Sequence, residues 1–149
     1  TLSDYLLRRA KPGEGEAGQR AKVVMLYFLC TLLLLPALAR CPASMPWLQY
    51  LLLLGLGHFL CGAQLLLPLI AAEQAPTEWR TTATGFIGWV GYFGAALSGL
   101  PLSYVVQGHG WGPYFSILTV AAGCGAALSF QCINLKSRRQ MDEEEAAAA

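Results

Sequence analysis

Four long stretches of the chain carry no Asp, Glu, Lys or Arg: residues 23–39, 41–72, 81–107 and 110–135. A helix needs about 20 mostly apolar residues to cross the hydrocarbon layer of a bilayer. The first stretch is short at 17 residues, and the other three are long enough. The pattern predicts an all-α membrane protein with four transmembrane helices at about residues 23–39, 47–72, 81–107 and 111–135.

Short polar segments separate these stretches and suggest the division of the chain. They contain the residues that commonly end helices, with prolines near residues 42–46, Pro76 after Glu73, and a glycine-rich segment at residues 108–113. We therefore expect residues 1–22 to form a cytoplasmic loop, residues 23–135 to form the four-helix membrane region, and residues 136–149 to form a cytoplasmic acidic tail.

The basic residues predict how the helices are oriented, because Lys and Arg accumulate on the cytoplasmic side. With both termini cytoplasmic, only Arg40 would lie on the other side of the membrane. The cytoplasmic side would hold the remaining nine of the ten basic residues: Arg8, Arg9, Lys11, Arg20, Lys22, Arg80, Lys136, Arg138 and Arg139. An integral, multi-pass protein with both termini in the cytoplasm is the expected arrangement.

Composition supports a membrane protein and excludes several other classes. Hydrophobic residues make up 55% of the 149 residues and charged residues only 13%, which a soluble domain of this size could not easily spread over its surface. A net charge of +1 is too small to predict a basic surface that binds nucleic acid.

Metal binding and catalysis are not expected either. The five cysteines lack C-x-x-C spacing, so neither a metal nor a cofactor is expected. Motifs for membrane-embedded catalysis are absent, and we expect no enzyme and no catalytic residue.

Polar side chains within the stretches indicate which helices turn away from lipid. The first stretch is a leucine block, which favours a peripheral position against acyl chains. The second holds His58 and Gln64, and the third holds Tyr92 and Ser98. Polar groups at membrane depth are costly unless they meet water or a partner, so these two helices are expected to line a cavity.

Small residues recur every four positions in the third and fourth stretches. Gly91, Ala95 and Gly99 form one such ridge, and residues 121, 125 and 129 form another. Ridges of this kind let helix backbones approach closely, so helix packing is their expected role.

Several motifs resemble a known family of transporters. The loop at residues 2–9 contains Asp4, Arg8 and Arg9 and is similar to the cytoplasmic loops of the major facilitator superfamily. More specific are Glu73-x-Ala-Pro and the following Thr-Ala-Thr-Gly-Phe-x-Gly-x-x-Gly-Tyr-x-Gly at residues 82–94. These resemble the organophosphate:phosphate antiporters, which include glycerol-3-phosphate and hexose-phosphate transporters. Gly-Leu-Pro-Leu-Ser at residues 99–103 is similar to the glucose-6-phosphate translocase-like members.

The resemblance implies a fold and a set of partners. The chain would be the last four of twelve helices, with the N-terminal half and the first helices of the C-terminal half as protein partners in the lipid bilayer. Its function would be exchange of a sugar phosphate or glycerol phosphate for inorganic phosphate by alternating access. The membrane would be the endoplasmic reticulum or the plasma membrane.

The resemblance also implies site residues. Tyr92 falls where the family has a cavity-facing tyrosine, and its hydroxyl could bind a phosphate or sugar oxygen. The candidate cavity residues are Tyr92, His58, Gln64, Trp89 and Ser98. Charged side chains that could form a cytoplasmic gate are Asp4, Arg8, Arg9, Glu73 and Arg80. Packing within the protein remains an alternative role for Tyr92 and His58, and a solvated loop remains one for the charges.

Two other functions remain open from the sequence. The chain could belong to a major facilitator transporter for another solute, or it could be a non-transporting four-helix scaffold, since small-residue packing suits both.

Overall fold

The computed structural model describes residues 16–134, 141–142 and 146. Residues 16–134 form four α-helices, which run α1 Glu16–Ala39, α2 Pro46–Gln74, α3 Arg80–His109 and α4 Trp111–Gln131, with a short 3₁₀ helix at Thr77–Trp79 before α3. The helices contain 24, 29, 30 and 21 residues. All four are long and apolar enough to cross a membrane, which confirms the predicted all-α, four-helix membrane fold.

Two helix ends differ from the predicted limits. The first helix begins at Glu16, so residues 16–22, predicted as loop, are helical. Ala21 and Val24 in its first turns are buried in one cluster with Ala63 and Ile70 of α2, and this packing favours the helix there. At the other end of the chain, α4 stops at Gln131 and residues 132–134 form a turn, before the predicted limit at residue 135.

The helix breaks follow from local residue chemistry. Pro46 occupies the first turn of α2, where its missing N–H would have no helical acceptor. Ala75 is extended at φ −83° and ψ 145°, as expected of a residue that precedes a proline. Between α3 and α4, Gly110 has φ 80°, a left-handed conformation that side chains disfavour.

The most extensive packing in the four-helix unit involves α1. It packs along both α2 and α4, whereas α3 contacts α2 and, more sparsely, α4. Several of its side chains are buried, among them Val24 and Leu35, which belong to two separate apolar clusters. Within the described residues, Leu35 of α1 is buried while Leu33 remains exposed. The expectation that this leucine-rich helix is peripheral stays a prediction.

By contrast, α3 lies at the edge of this unit. None of its residues is buried. Its glycines at positions 85, 88, 91, 94 and 99 face open space, since a Cβ atom added at any of them would have no neighbouring atom within 4 Å. The ridge of Gly91, Ala95 and Gly99 thus contacts no other helix of the described chain closely, and its packing role stays a prediction.

Candidate functional site

Two opposite faces distinguish α3, the helix with most of the candidate cavity residues. At about 100° per residue, the half-buried positions of α3 centre on one side. They lie in its first and last thirds, at residues 83, 84, 87, 88, 102, 103, 105 and 106, whereas residues 89–101 are all exposed. The opposite side carries Phe86, Trp89 and Phe93, which are all exposed. Near both ends of α3, one face therefore points toward α2 and α4, and the other points away from the four-helix unit.

Tyr92 lies close to the middle of α3, on the border between these two faces. Its side chain is 80% exposed. It is the thirteenth of 30 residues in the helix, about 18 Å from the first residue along the axis. A phenolic hydroxyl at this depth requires water, a ligand or another protein group as its hydrogen-bond partner. Its position suits the predicted contact with a solute.

Trp89 and Ser98 share α3 with Tyr92 but differ in their polar contacts. The Ser98 hydroxyl donates to the Ala95 carbonyl oxygen at 2.7 Å, so its proton is already used within the helix. Trp89 stacks on its neighbours along the helix, with its ring centre 6.3 Å from that of Phe86. Both Trp89 and Tyr92 are thus exposed. The Ser98 hydroxyl, whose proton is bound within the helix, can only accept a hydrogen bond from a solute.

His58 occupies an aromatic cluster at the contact between α1 and α2. Its ring centre is 6.2 Å from that of Tyr27 and 5.3 Å from that of Phe59. Tyr27 reaches this position because Gly62 has no side chain: a Cβ there would lie 2.8 Å from Cδ2 of Tyr27. His58 is nevertheless exposed, so its predicted cavity role and its alternative packing role both stay predictions.

Gln64 is exposed on α2, six residues beyond His58. Six residues correspond to a rotation of about 120° around the helix, so the two side chains point in different directions. Within residues 16–134, no ring contact or hydrogen bond joins either of them to Tyr92 or Trp89. The candidate cavity residues therefore form two separate groups in this part of the protein.

An ion pair joins α1 to α2 at the end of the helices where Arg80 also lies. Nε of Arg20 is 2.9 Å from Oε1 of Glu73, and the two side chains are only 14% and 20% exposed. Arg80 is exposed. The predicted gate residues Asp4, Arg8 and Arg9 lie outside the described residues.

Arg20, the partner of Glu73, is not among the site residues predicted from the sequence, although its position along the chain indicates the contact. Consecutive membrane helices run antiparallel, so the start of the first helix and the end of the second lie at the same membrane surface. Arg20 precedes the first apolar stretch and Glu73 follows the second. The sequence alone could therefore have predicted an ion pair between them.

A cavity lies between the end of α1 and the start of α4, at the end of the helices opposite to the Arg20–Glu73 ion pair. It measures about 480 Å³ and has a mixed lining of Pro36, Ala39, Arg40, Gly112, Phe115, Ser116, Thr119 and Val120. The guanidinium of Arg40 is exposed there and donates to the Pro36 carbonyl oxygen at 3.3 Å. In the described part of the chain, no three His, Cys, Asp or Glu side chains are arranged to hold a metal ion.

The arrangement defines a class of protein: an integral, multi-pass membrane protein whose exposed third helix carries a polar and aromatic surface. Known proteins narrow this class. The chain is 31% identical over 123 residues to the membrane sensor protein UhpC of Escherichia coli, a match that covers 83% of this chain and 28% of that protein. It is 42% identical over 76 residues to a probable hexose phosphate transport protein of Chlamydia trachomatis, covering 51% of this chain and 17% of the relative.

A third relative is UhpC of Salmonella typhimurium, with 38% identity over 87 residues, covering 58% of this chain and 20% of that protein. These homologues confirm the predicted resemblance to the organophosphate:phosphate antiporter family of the major facilitator superfamily. The matched part of the chain spans 17% to 28% of the length of these curated relatives. No protein-family model matches the chain. No solved structure matches it.

Proposed function

We propose that the chain is part of a transporter that exchanges a phosphorylated sugar or glycerol phosphate for inorganic phosphate by alternating access. The observation that carries this proposal is the similarity to probable hexose phosphate transport proteins over about half of the chain. The exposed position of Tyr92 near the middle of α3 supports it, since transporters of this kind bind their solutes near the bilayer midplane. The protein is not an enzyme in this proposal.

The binding site is completed by helices beyond these four. A phosphate group in the membrane needs cationic partners or aimed backbone amides, yet residues 81–107 contain no Lys or Arg. The remaining helices of the transporter therefore supply the charge that binds phosphate. Tyr92, Trp89, His58, Gln64 and Ser98 contribute to the cavity wall, and the ridge with Gly91, Ala95 and Gly99 packs against one of those helices.

Both termini are cytoplasmic in this proposal, and the protein lies in the endoplasmic reticulum or the plasma membrane. The charged groups at that surface form a gate that holds one conformation of the transporter. Glu73 and Arg80 belong to it together with Asp4, Arg8 and Arg9. The Arg20–Glu73 ion pair gives Glu73 a fixed position within this group.

The test is exchange by the full-length protein in liposomes loaded with inorganic phosphate. We expect uptake of labelled phosphate and of glucose 6-phosphate, each dependent on phosphate inside. Tyr92→Phe should raise the KM for the organophosphate, because it removes one hydroxyl and leaves the ring. Ser103→Ala on the same helix is a matched control, since the Ser103 hydroxyl donates to the Leu100 carbonyl oxygen at 2.8 Å. A wild-type protein that moves neither solute would contradict the proposed function.

A membrane sensor is the second candidate, because two of the relatives are named membrane sensor proteins. A sensor binds its signal without moving it across the membrane. Saturable binding of glucose 6-phosphate to the purified full-length protein, with no uptake into liposomes, would favour this function over transport.

A further inference from the structure

Three aromatic rings form a continuous stack along the face of α3 that points away from α2 and α4. The ring centres of Phe86 and Trp89 are 6.3 Å apart with planes inclined by 27°. Those of Trp89 and Phe93 are 6.2 Å apart with planes inclined by 17°. Spacings of three and four residues place all three side chains on one side of the helix.

This aromatic stack is open to its surroundings. The three side chains are 62%, 66% and 59% exposed, in chain order. Their mean direction is about 180° from the half-buried face of α3, by the rotation of about 100° per residue. No other helix of residues 16–134 covers them, so the stack presents its surface to whatever lies across from α3.

The stack begins about 9 Å from the first residue of α3 and ends near the middle of the helix. Phe86 is the seventh residue of α3, and Phe93 is the fourteenth of 30, a distance of about 10 Å along the axis. Tyr92 adjoins its inner end. Both Tyr92 and the Trp89 indole have polar groups that prefer water or a partner to acyl chains, which favours a solute route on this side of α3.

Building on the proposed function, we propose that Phe86, Trp89 and Phe93 form a stacking surface for the pyranose ring of a sugar phosphate. A pyranose has apolar C–H faces and a polar rim of hydroxyls. Aromatic faces carry negative charge density that attracts C–H groups, and they replace the water on those faces. Inorganic phosphate and glycerol phosphate have no such ring. The surface therefore makes the site selective for cyclic sugar phosphates. At the inner end of the stack, the Tyr92 hydroxyl donates a hydrogen bond to an oxygen atom of the sugar phosphate.

The experiment compares three solutes with the full-length protein in phosphate-loaded liposomes: glucose 6-phosphate, glycerol 3-phosphate and inorganic phosphate. For Trp89→Leu, we expect the ratio of the KM for glucose 6-phosphate to the KM for phosphate to rise roughly tenfold, the size of one aromatic contact. The corresponding ratio for glycerol 3-phosphate should stay within about twofold of the wild-type value. Trp89→Phe, which keeps a ring, should largely retain the preference for glucose 6-phosphate.

The matched control is Tyr104→Leu, which removes an exposed aromatic ring from the same face of α3, three turns beyond Phe93. It should leave both ratios at the wild-type values. If Trp89→Leu leaves the ratios unchanged, or raises all three KM values equally, the stack packs against another helix and the inference is wrong. A wild-type protein that exchanges no phosphate would overturn the proposed function itself, and the inference with it.

Discussion

The ring of Tyr27 in α1 lies directly over the backbone of Gly62 in α2. A Cβ atom added at Gly62 would overlap Cε2 of that ring and would lie 2.8 Å from Cδ2. The same ring contacts Phe59, with ring centres 5.6 Å apart. The absence of a side chain at one residue thus fixes how α1 and α2 pack near the middle of both helices.

Gly62→Ala should destabilise the protein by about 1–3 kcal/mol, because the new methyl group forces Tyr27 and α1 away from α2. We expect a lower melting temperature for the full-length variant in detergent. The control is Gly57→Ala in the same helix, where a Cβ would have nothing within 4 Å. Equal stability of the two variants would show that the Tyr27 ring can move aside at little cost.

A second close approach joins α1 to α4. A Cβ at Gly125 would lie 2.8 Å from Cε1 of Phe28, whereas one at Gly123 would lie 3.7 Å from Cδ1 of Leu32. We therefore expect Gly125→Ala to lower the melting temperature and Gly123→Ala to be nearly neutral. The second variant forms only an ordinary van der Waals contact, so a loss of stability there would contradict this account of the packing.

The positions of the helices were predictable from the sequence because uncharged stretches of membrane length have few alternatives in structure. The start of α1 at Glu16 was not predictable. Arg20 and Lys22 are equally compatible with a loop and with a helix that extends beyond the bilayer. The stacking of Tyr27 on Gly62 also required the structure, because it depends on the relative rotation of two helices.

The candidate site was partly readable from the sequence. The spacing of Phe86, Trp89 and Phe93 already places three rings on one helix face. That this face points away from α2 and α4 follows only from the packing. In α4, the predicted small-residue ridge is correct at Gly125 and Ser129, but Ala121 is exposed and Ala122 is buried instead.

The ion pair between Arg20 and Glu73 should contribute measurably to stability, because both side chains are largely shielded from water. Glu73→Gln should cost about 1–3 kcal/mol, since it removes the negative charge that lies 2.9 Å from the largely buried guanidinium of Arg20. Arg20→Glu and Glu73→Arg should each lower the melting temperature, and the double variant should recover part of the loss. Additive losses in that double variant would mean that the two side chains are not coupled.

The predicted orientation can be tested with single cysteines in the two connecting segments. Ser44, between α1 and α2, and Thr77, between α2 and α3, are both exposed and lie at opposite ends of α2. With both termini cytoplasmic, Thr77→Cys lies on the cytoplasmic side and Ser44→Cys on the other side. In a full-length protein without its native cysteines, in sealed vesicles with the cytoplasmic face outward, a membrane-impermeant maleimide should label Thr77→Cys. It should label Ser44→Cys only after detergent opens the vesicles. The reverse pattern would invert the whole arrangement and place Arg40 alone among the basic residues in the cytoplasm.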